Sequence, residues 1–122
     1  MCGIAGSVNS GYSYENVIKT LGHRGPDEHN SYQYNNVDFF HLRLSILDIA
    51  CGKQPMHLNE KYTIIFNGEI YNHTELRKQF DLRGSTSSDT ETLLLLYDRF
   101  GVEFLQYLDG MFVFVIHDKI KN

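Results

Sequence analysis

The chain has 122 residues, 42% of them hydrophobic, with two prolines and ten glycines, enough for one globular unit with a single core. A net charge of −4 and a pI near 5.8 exclude the basic signature of nucleic-acid and membrane-surface proteins. No apolar run reaches the roughly 20 residues of a membrane span, and no basic-then-apolar leader opens the chain, so a cytoplasmic protein is expected.

In chain order, Cys2 stands directly behind Met1. If the methionine is removed, one residue carries a thiol and a free α-amine, so a nucleophile and a base able to take its proton are a few bonds apart. An inert buried cysteine is the ordinary alternative. Gly3 to Asn9 reads as a strand with Ile4, Gly6 and Val8 on one face. Ser13 starts a helix whose apolar residues Tyr14, Val17, Ile18 and Leu21 fall at helical spacing and which Gly22 stops. Strands follow at 31–35 and 37–43, turning at Asn35-Asn36.

Tyr62 to Phe66 is a further β-branched and aromatic strand. Asn72 with Glu75, and Ser88 with Glu91, each resemble a capping box opening a helix. The second helix turns Leu93, Leu94, Leu96, Tyr97 and Phe100 inward and closes at Gly101. Met111 to Ile116 is an unbroken apolar run, as in a strand covered on both faces. Mixed elements with strands first and last predict an α+β layered fold. Cys51 reads as structural or incidental. The six histidines show no HExxH and no i, i+4 pair, so no metal site is expected, and Asn72-His73-Thr74 is a sequon by accident.

Four polar islands interrupt this pattern: His23-Arg24-Gly25-Pro26-Asp27-Glu28, Arg43-Leu44-Ser45-Ile46-Leu47-Asp48, Asn67-Gly68-Glu69-Ile70-Tyr71-Asn72 and Ser88-Asp89-Thr90-Glu91. Singly, each has a plain reading: a turn, a snorkelling arginine, an Asn-Gly hairpin, a charge favoured at a helix start. Together, behind Cys2, they resemble the glutaminase domain of glutamine-hydrolysing asparagine synthetases, class II amidotransferases of the N-terminal nucleophile hydrolase superfamily. The resemblance runs from Met1 to about Asp118. It implies a four-layer αββα sandwich of antiparallel sheets, and one glutamine amidotransferase domain over 1–122.

The resemblance also implies roles. Cys2 is the nucleophile, and the Asn67 side chain with the Gly68 N–H forms the oxyanion hole. Arg43 takes the α-carboxylate of L-glutamine, the backbone of Arg43, Leu44, Ser45, Ile46 and Leu47 lines the pocket, and Glu69 and Asp89 face the α-ammonium. His23, Arg24 and Asp27 organise the loop beside the nucleophile, and a Cys–His dyad is not expected. The glutaminase half needs no metal or cofactor. ATP and Mg belong to a synthetase domain whose Ser-Gly-Gly-x-Asp-Ser segment does not occur in this sequence.

That domain is the expected partner, and a homodimer is compatible with the family. The chain stops where the family continues into more strands, so a chain incomplete at its C-terminus is expected, with the last strand left as an apolar edge. Two alternatives stay open: a non-catalytic fragment or binding module, and a glutaminase feeding another acceptor such as a sugar acid.

Overall fold

Ser13 and Ser88 cap the two longer helices, as the spacing predicts. In the computed structural model, which describes residues 1–44 and 52–121, Ser13 Oγ accepts from the Asn16 N–H at 3.3 Å and opens α1, Tyr14–Leu21, which closes at Gly22. Ser88 Oγ accepts from the Glu91 N–H at 3.2 Å and opens α3, Asp89–Phe100. Between them lies α2, His73–Gln79, and a 3-10 helix, Gly101–Tyr107, follows α3. The sequence reading contains no such 3-10 turn.

Among the described residues six strands form two antiparallel sheets. The first has the order β1 (Gly3–Val8), β3 (Val37–Arg43), β2 (Glu28–Tyr34). The second has the order β4 (Met56–Leu58), β5 (Tyr62–Ile70), β6 (Gly110–Asp118). Asn35, at a φ of 52°, makes the tight turn between β2 and β3.

The central strands β3 and β5 are buried on both faces, so side chains that alternate along them build three cores. Phe40 and Leu42 of β3 pack with Val17 under α1. Val37 and Phe39, on the other face, meet Ile65 of β5 between the sheets. Tyr62, Ile64, Phe66 and Ile70 of β5 pack on Leu76 of α2 and on Leu93, Leu94 and Leu96 of α3. The layers are therefore α1, first sheet, second sheet, then α2 and α3: the αββα order. One end of the inter-sheet space is closed by rings, with Tyr32 5.3 Å from His57 and 6.2 Å from His117.

Several local expectations are corrected. On β1 only Ile4 joins the inter-sheet core; Ala5 packs towards α1, and Val8 is exposed at the strand end. β2 begins at Glu28 rather than Ser31, and β5 runs on to Ile70, with Asn67-Gly68 inside the strand rather than past its end. β4 is too short for periodicity to reveal. Asn72 does not cap α2: its Nδ2 donates to Tyr107 O at 2.8 Å and its Oδ1 accepts from the Asp109 N–H at 3.0 Å, tying α2 to the entry of β6. β6 is not covered on both faces. Phe114 and Ile116 pack on the helix-side core, but Met111, Phe112, Val113 and Val115 are exposed, because β6 has no neighbour beyond β5 among the described residues.

The Ser88–Glu91 capping box is only half formed, because the Glu91 carboxylate is engaged elsewhere. It accepts from the Ser85 and Thr86 N–H groups at 2.9 and 2.8 Å, from both hydroxyls, and from Arg77 Nη2 at 3.1 Å. Arg77 also donates to Thr86 O and Ser88 O, so α2, the 84–88 loop and the start of α3 are one network. Burial alone would raise this carboxyl; the hydrogen bonds from Thr86 and Ser85 outweigh it and bring the pKa from 4.5 down to about 2. A lowered folded pKa contributes stability above the unfolded value, and that stability is lost as pH falls through the folded one. Glu91→Gln is expected to cost about 3 kcal/mol at pH 7, with the gap to the parent closing between pH 4.5 and 2. Urea unfolding across that range checks this, and a pH-independent gap would contradict it.

Candidate functional site

Gly3 pairs with Leu42, and Glu28 pairs with Arg43, so Cys2, Arg43 and Glu28 share one end of the first sheet. Ile4 and Phe39 face the second sheet; by alternation Cys2 and Arg43 face it too. The His23–Asp27 loop braces this end. Arg24 Nε donates to Cys2 O at 3.4 Å, and the Asp27 N–H donates to Arg43 O at 3.0 Å. Gly25 is buried against the Leu42–Arg43 backbone so closely that a Cβ there would collide with Leu42 O. His29 Nε2 lies 3.0 Å from Gly25 O and steadies the turn. His23 is exposed.

Arg43 is buried, and its Nη1 donates to Glu28 Oε2 at 3.3 Å. The hydrogen bond from Asn30 Nδ2 to Glu28 Oε1, at 3.2 Å, is the main cause holding the Glu28 carboxyl below its usual range; partial burial opposes it, and Arg43 and Lys53 add to it. Glu28 is therefore a fixed anion that aims the guanidinium.

The second sheet contributes a β5 edge that, beyond β4, no strand among the described residues covers. Phe66 donates its N–H to Gln54 Oε1 at 2.6 Å, and Ile70 donates its N–H to Asp89 Oδ2 at 3.1 Å. Tyr71 donates to Asp109 O, on the β6 side. The even-numbered N–H groups therefore point away from β6, and the Gly68 N–H, midway between two groups held by side chains, shares that direction. Gly68 has a φ of +142°, and a Cβ there would collide with Met111 O. Only glycine fits this backbone. Asn67 alternates onto the inter-sheet face with Ile65, towards the first sheet.

Two features join the sheets at this end. Gly52 lies against the Arg43 guanidinium, a Cβ there standing 3.0 Å from Nη2, and two residues later Gln54 holds the Phe66 N–H. His41, one row in from Arg43, lies against the Phe66 backbone. The nucleophile, the guanidinium and the Asn67-Gly68 pair thus border one end of the inter-sheet space, opposite the end closed by Tyr32, His57 and His117. An open cavity on the first sheet, reaching from Tyr12 and Tyr14 to Ser31, Tyr32, Asp38 and Phe40, includes neither Cys2, Arg43 nor the Asn67-Gly68 pair.

Of the other expected residues, Leu44 is half-buried and Glu69 exposed, while Asp89 has one carboxylate oxygen committed to Ile70. Ser45, Ile46 and Leu47, and the structural reading of Cys51, lie outside the described residues. Among the described residues no three His, Cys, Asp or Glu side chains are arranged to hold a metal, and no helix is long and apolar enough to cross a membrane. Sequence reasoning missed Glu28, Gln54 and His41. Glu28 was readable only as the end of a turn motif, and nothing in the pattern marks the other two.

A family model described as glutamine amidotransferase domain matches residues 1–122. The chain is 38% identical over 135 residues to asparagine synthetase [glutamine-hydrolyzing] 3 of Bacillus subtilis, covering 100% of this chain and 22% of that protein. It is 42% identical over 109 residues to asparagine synthetase B [glutamine-hydrolyzing] of Escherichia coli, covering 87% of this chain and 20% of that one. The chain thus spans about a fifth of the length of these curated relatives. Among solved structures, the glutamine phosphoribosylpyrophosphate amidotransferase from B. subtilis aligns with a TM-score of 0.53 and 27% identity, over 69% of this chain and 21% of that chain.

Gly68→Ala is expected to lower unfolding stability by about 1–3 kcal/mol, through a strained φ and the clash with Met111. The denaturant midpoint reads this directly. An unchanged midpoint would mean β5 does not hold this backbone.

Proposed function

The chain belongs to the glutamine amidotransferase domain family, and on that premise we propose that it hydrolyses the side-chain amide of L-glutamine through a γ-glutamyl thioester on Cys2. The observation that carries this reading is the pair of β5 N–H groups on either side of Gly68 taken by Gln54 and Asp89, which by strand alternation aims the Gly68 N–H at an edge that no strand among the described residues covers. Such a preorganised donor stabilises an oxyanion, a contribution worth about 3–4 kcal/mol per donor.

Removal of Met1, which is 70% exposed, frees the Cys2 amine. That amine takes the thiol proton as sulfur adds to the amide carbon, and the carbonyl oxygen becomes an oxyanion bonded by the Asn67 amide and the Gly68 N–H. The amine returns the proton to the leaving nitrogen, the C–N bond breaks and ammonia departs. Water then adds to the thioester carbon, the C–S bond breaks, and glutamate leaves with the thiol restored. The Arg43 fork, aimed by Glu28, binds the α-carboxylate, with the Leu44, Ser45, Ile46 and Leu47 backbone alongside. Glu69 and the second oxygen of Asp89 attract the α-ammonium. We take this half-reaction to need no metal or organic cofactor.

The relatives' names support asparagine formation as the destination of the ammonia; the family resemblance implies that a synthetase domain would use aspartate, ATP and Mg2+ for that step. Another acceptor, such as a sugar acid, is the competing destination.

Intact mass after incubation with 6-diazo-5-oxo-norleucine, a glutamine mimic that alkylates this class of thiol, is the direct test. The expected product lacks Met1 and carries one adduct on Cys2, absent from Cys2→Ala. Methionine removed with no adduct would favour a non-catalytic binding module instead. Two further variants separate roles: Arg43→Ala should raise the half-saturating reagent concentration at least tenfold, whereas Asn67→Ala should lower the limiting rate 100- to 1,000-fold with little change in that concentration. The reverse pattern would overturn both assignments.

A further inference from the structure

His41 lies on β3 two residues before Arg43 and is 1% exposed, yet neither ring nitrogen makes a hydrogen bond of ordinary geometry, and the polar group its ring approaches is the Phe66 backbone of β5. An unpaired buried polar group is costly. Val37 and Phe39, on the same face of the same strand, show the residue types that packing alone selects there. Across the ladders His41 sits opposite Ile4 and Asn30, one row in from the end that carries Cys2, Arg43 and Glu28. Across the inter-sheet space it lies against the Phe66 backbone, one residue before Asn67.

Among the described residues, the charged groups that act on it are Arg43 on its own strand and Glu28 on β2, and the uncharged Phe66 backbone of β5 faces it. Burial, and then the positive charge of Arg43, push the imidazole from 6.5 to about 4, with Glu28 and the Phe66 backbone opposing in part. At neutral pH the ring is uncharged, a donor at one nitrogen and an acceptor at the other.

We propose that His41 is a positioning residue for the glutamine site, its buried imidazole setting the spacing between the Arg43 clamp on the first sheet and the Asn67-Gly68 oxyanion donors on the second. The proposal rests on the glutamine reading and deepens it. The α-carboxylate and the side-chain carbonyl lie at opposite ends of glutamine, so productive attack requires the two anchors at one separation. The group between their strands fixes it. An apolar ring of similar bulk fills the space but lacks the polar edge that His41 turns to the Phe66 backbone.

The test is the rate of Cys2 alkylation by 6-diazo-5-oxo-norleucine against reagent concentration, in the chain with Met1 removed, for the parent, His41→Phe and His41→Asn. Iodoacetamide labelling and thermal melting are run alongside. His41→Phe should melt no lower than a few degrees below the parent and react with iodoacetamide at the parent rate. It should lose at least tenfold in the limiting rate with the glutamine mimic. His41→Asn, which keeps a donor and an acceptor, should recover part of that loss.

Parent-like labelling of His41→Phe by the glutamine mimic would overturn the proposal, as would an equal loss towards iodoacetamide, which needs no glutamine pocket. If His41→Phe does not fold, His41→Leu carries the same comparison. A parent that reacts with iodoacetamide but not with the glutamine mimic removes the glutamine reading and this proposal with it. A parent that labels while His41→Phe is indifferent removes this proposal alone.

Discussion

Two strands buried on both faces, β3 and β5, impose the constraint on which the rest of the structure depends. Side chains of period two give each strand two different faces, so neither can slip by one residue without reversing every contact. On β3, Phe40 and Leu42 commit one face to α1, which leaves Val37, Phe39, His41 and Arg43 for the space between the sheets. On β5, Ile64 and Phe66 commit one face to the helices, which leaves Ile65 and Asn67 for that same space. Towards the end that carries Cys2 both series turn polar, at His41 and Arg43 on β3 and at Asn67 on β5. Register therefore brings these groups to one end of the inter-sheet space, and the His23–Asp27 loop braces them there.

The supporting elements fix the ends of those strands. Gly25 lets the His23–Asp27 loop lie directly on the end of β3, and Gln54 supplies by side chain the hydrogen bond that β4 is too short to give. Asp89 does the same for Ile70 from the first turn of α3. α3 is held at that end by Glu91, whose carboxylate gathers Ser85, Thr86 and Arg77. An acidic residue that touches no site group therefore governs where a site-facing one stands.

Much of this was legible in the sequence, for reasons that differ by element. Ser13 and Ser88 signalled helix starts because a hydroxyl before an apolar period has one common use. The αββα order came with the resemblance carried by Cys2, Arg43, Asn67-Gly68 and Asp89, whereas periodicity alone gave only mixed α and β. Asn67-Gly68 misled because the pair is a turn signal, and only the close approach of β6 explains a glycine inside a strand. Asn72 misled because tertiary partners, Tyr107 and Asp109, outcompeted the local cap. His41 and Glu28 carry no local signature: a lone histidine in an apolar strand and a glutamate after a turn acquire meaning only across the ladder and the inter-sheet space.

The pairing of β6 with β5 sets the order in which the molecule assembles. β2 and β3 are joined by a two-residue turn, so their ladder closes at small entropic cost. Phe66 and Phe114 face each other from distant parts of the chain, with α2, α3 and the 3-10 helix between them. On sequence separation alone, the β2–β3 ladder that carries the guanidinium is therefore the less costly one to close, and the strand carrying Asn67 and Gly68 the more costly one to pair with β6. Until it pairs, β6 exposes Phe114 and Ile116 in addition to Met111, Phe112, Val113 and Val115, which stay exposed in the folded chain, so chain concentration bears on whether it finds β5 or another molecule.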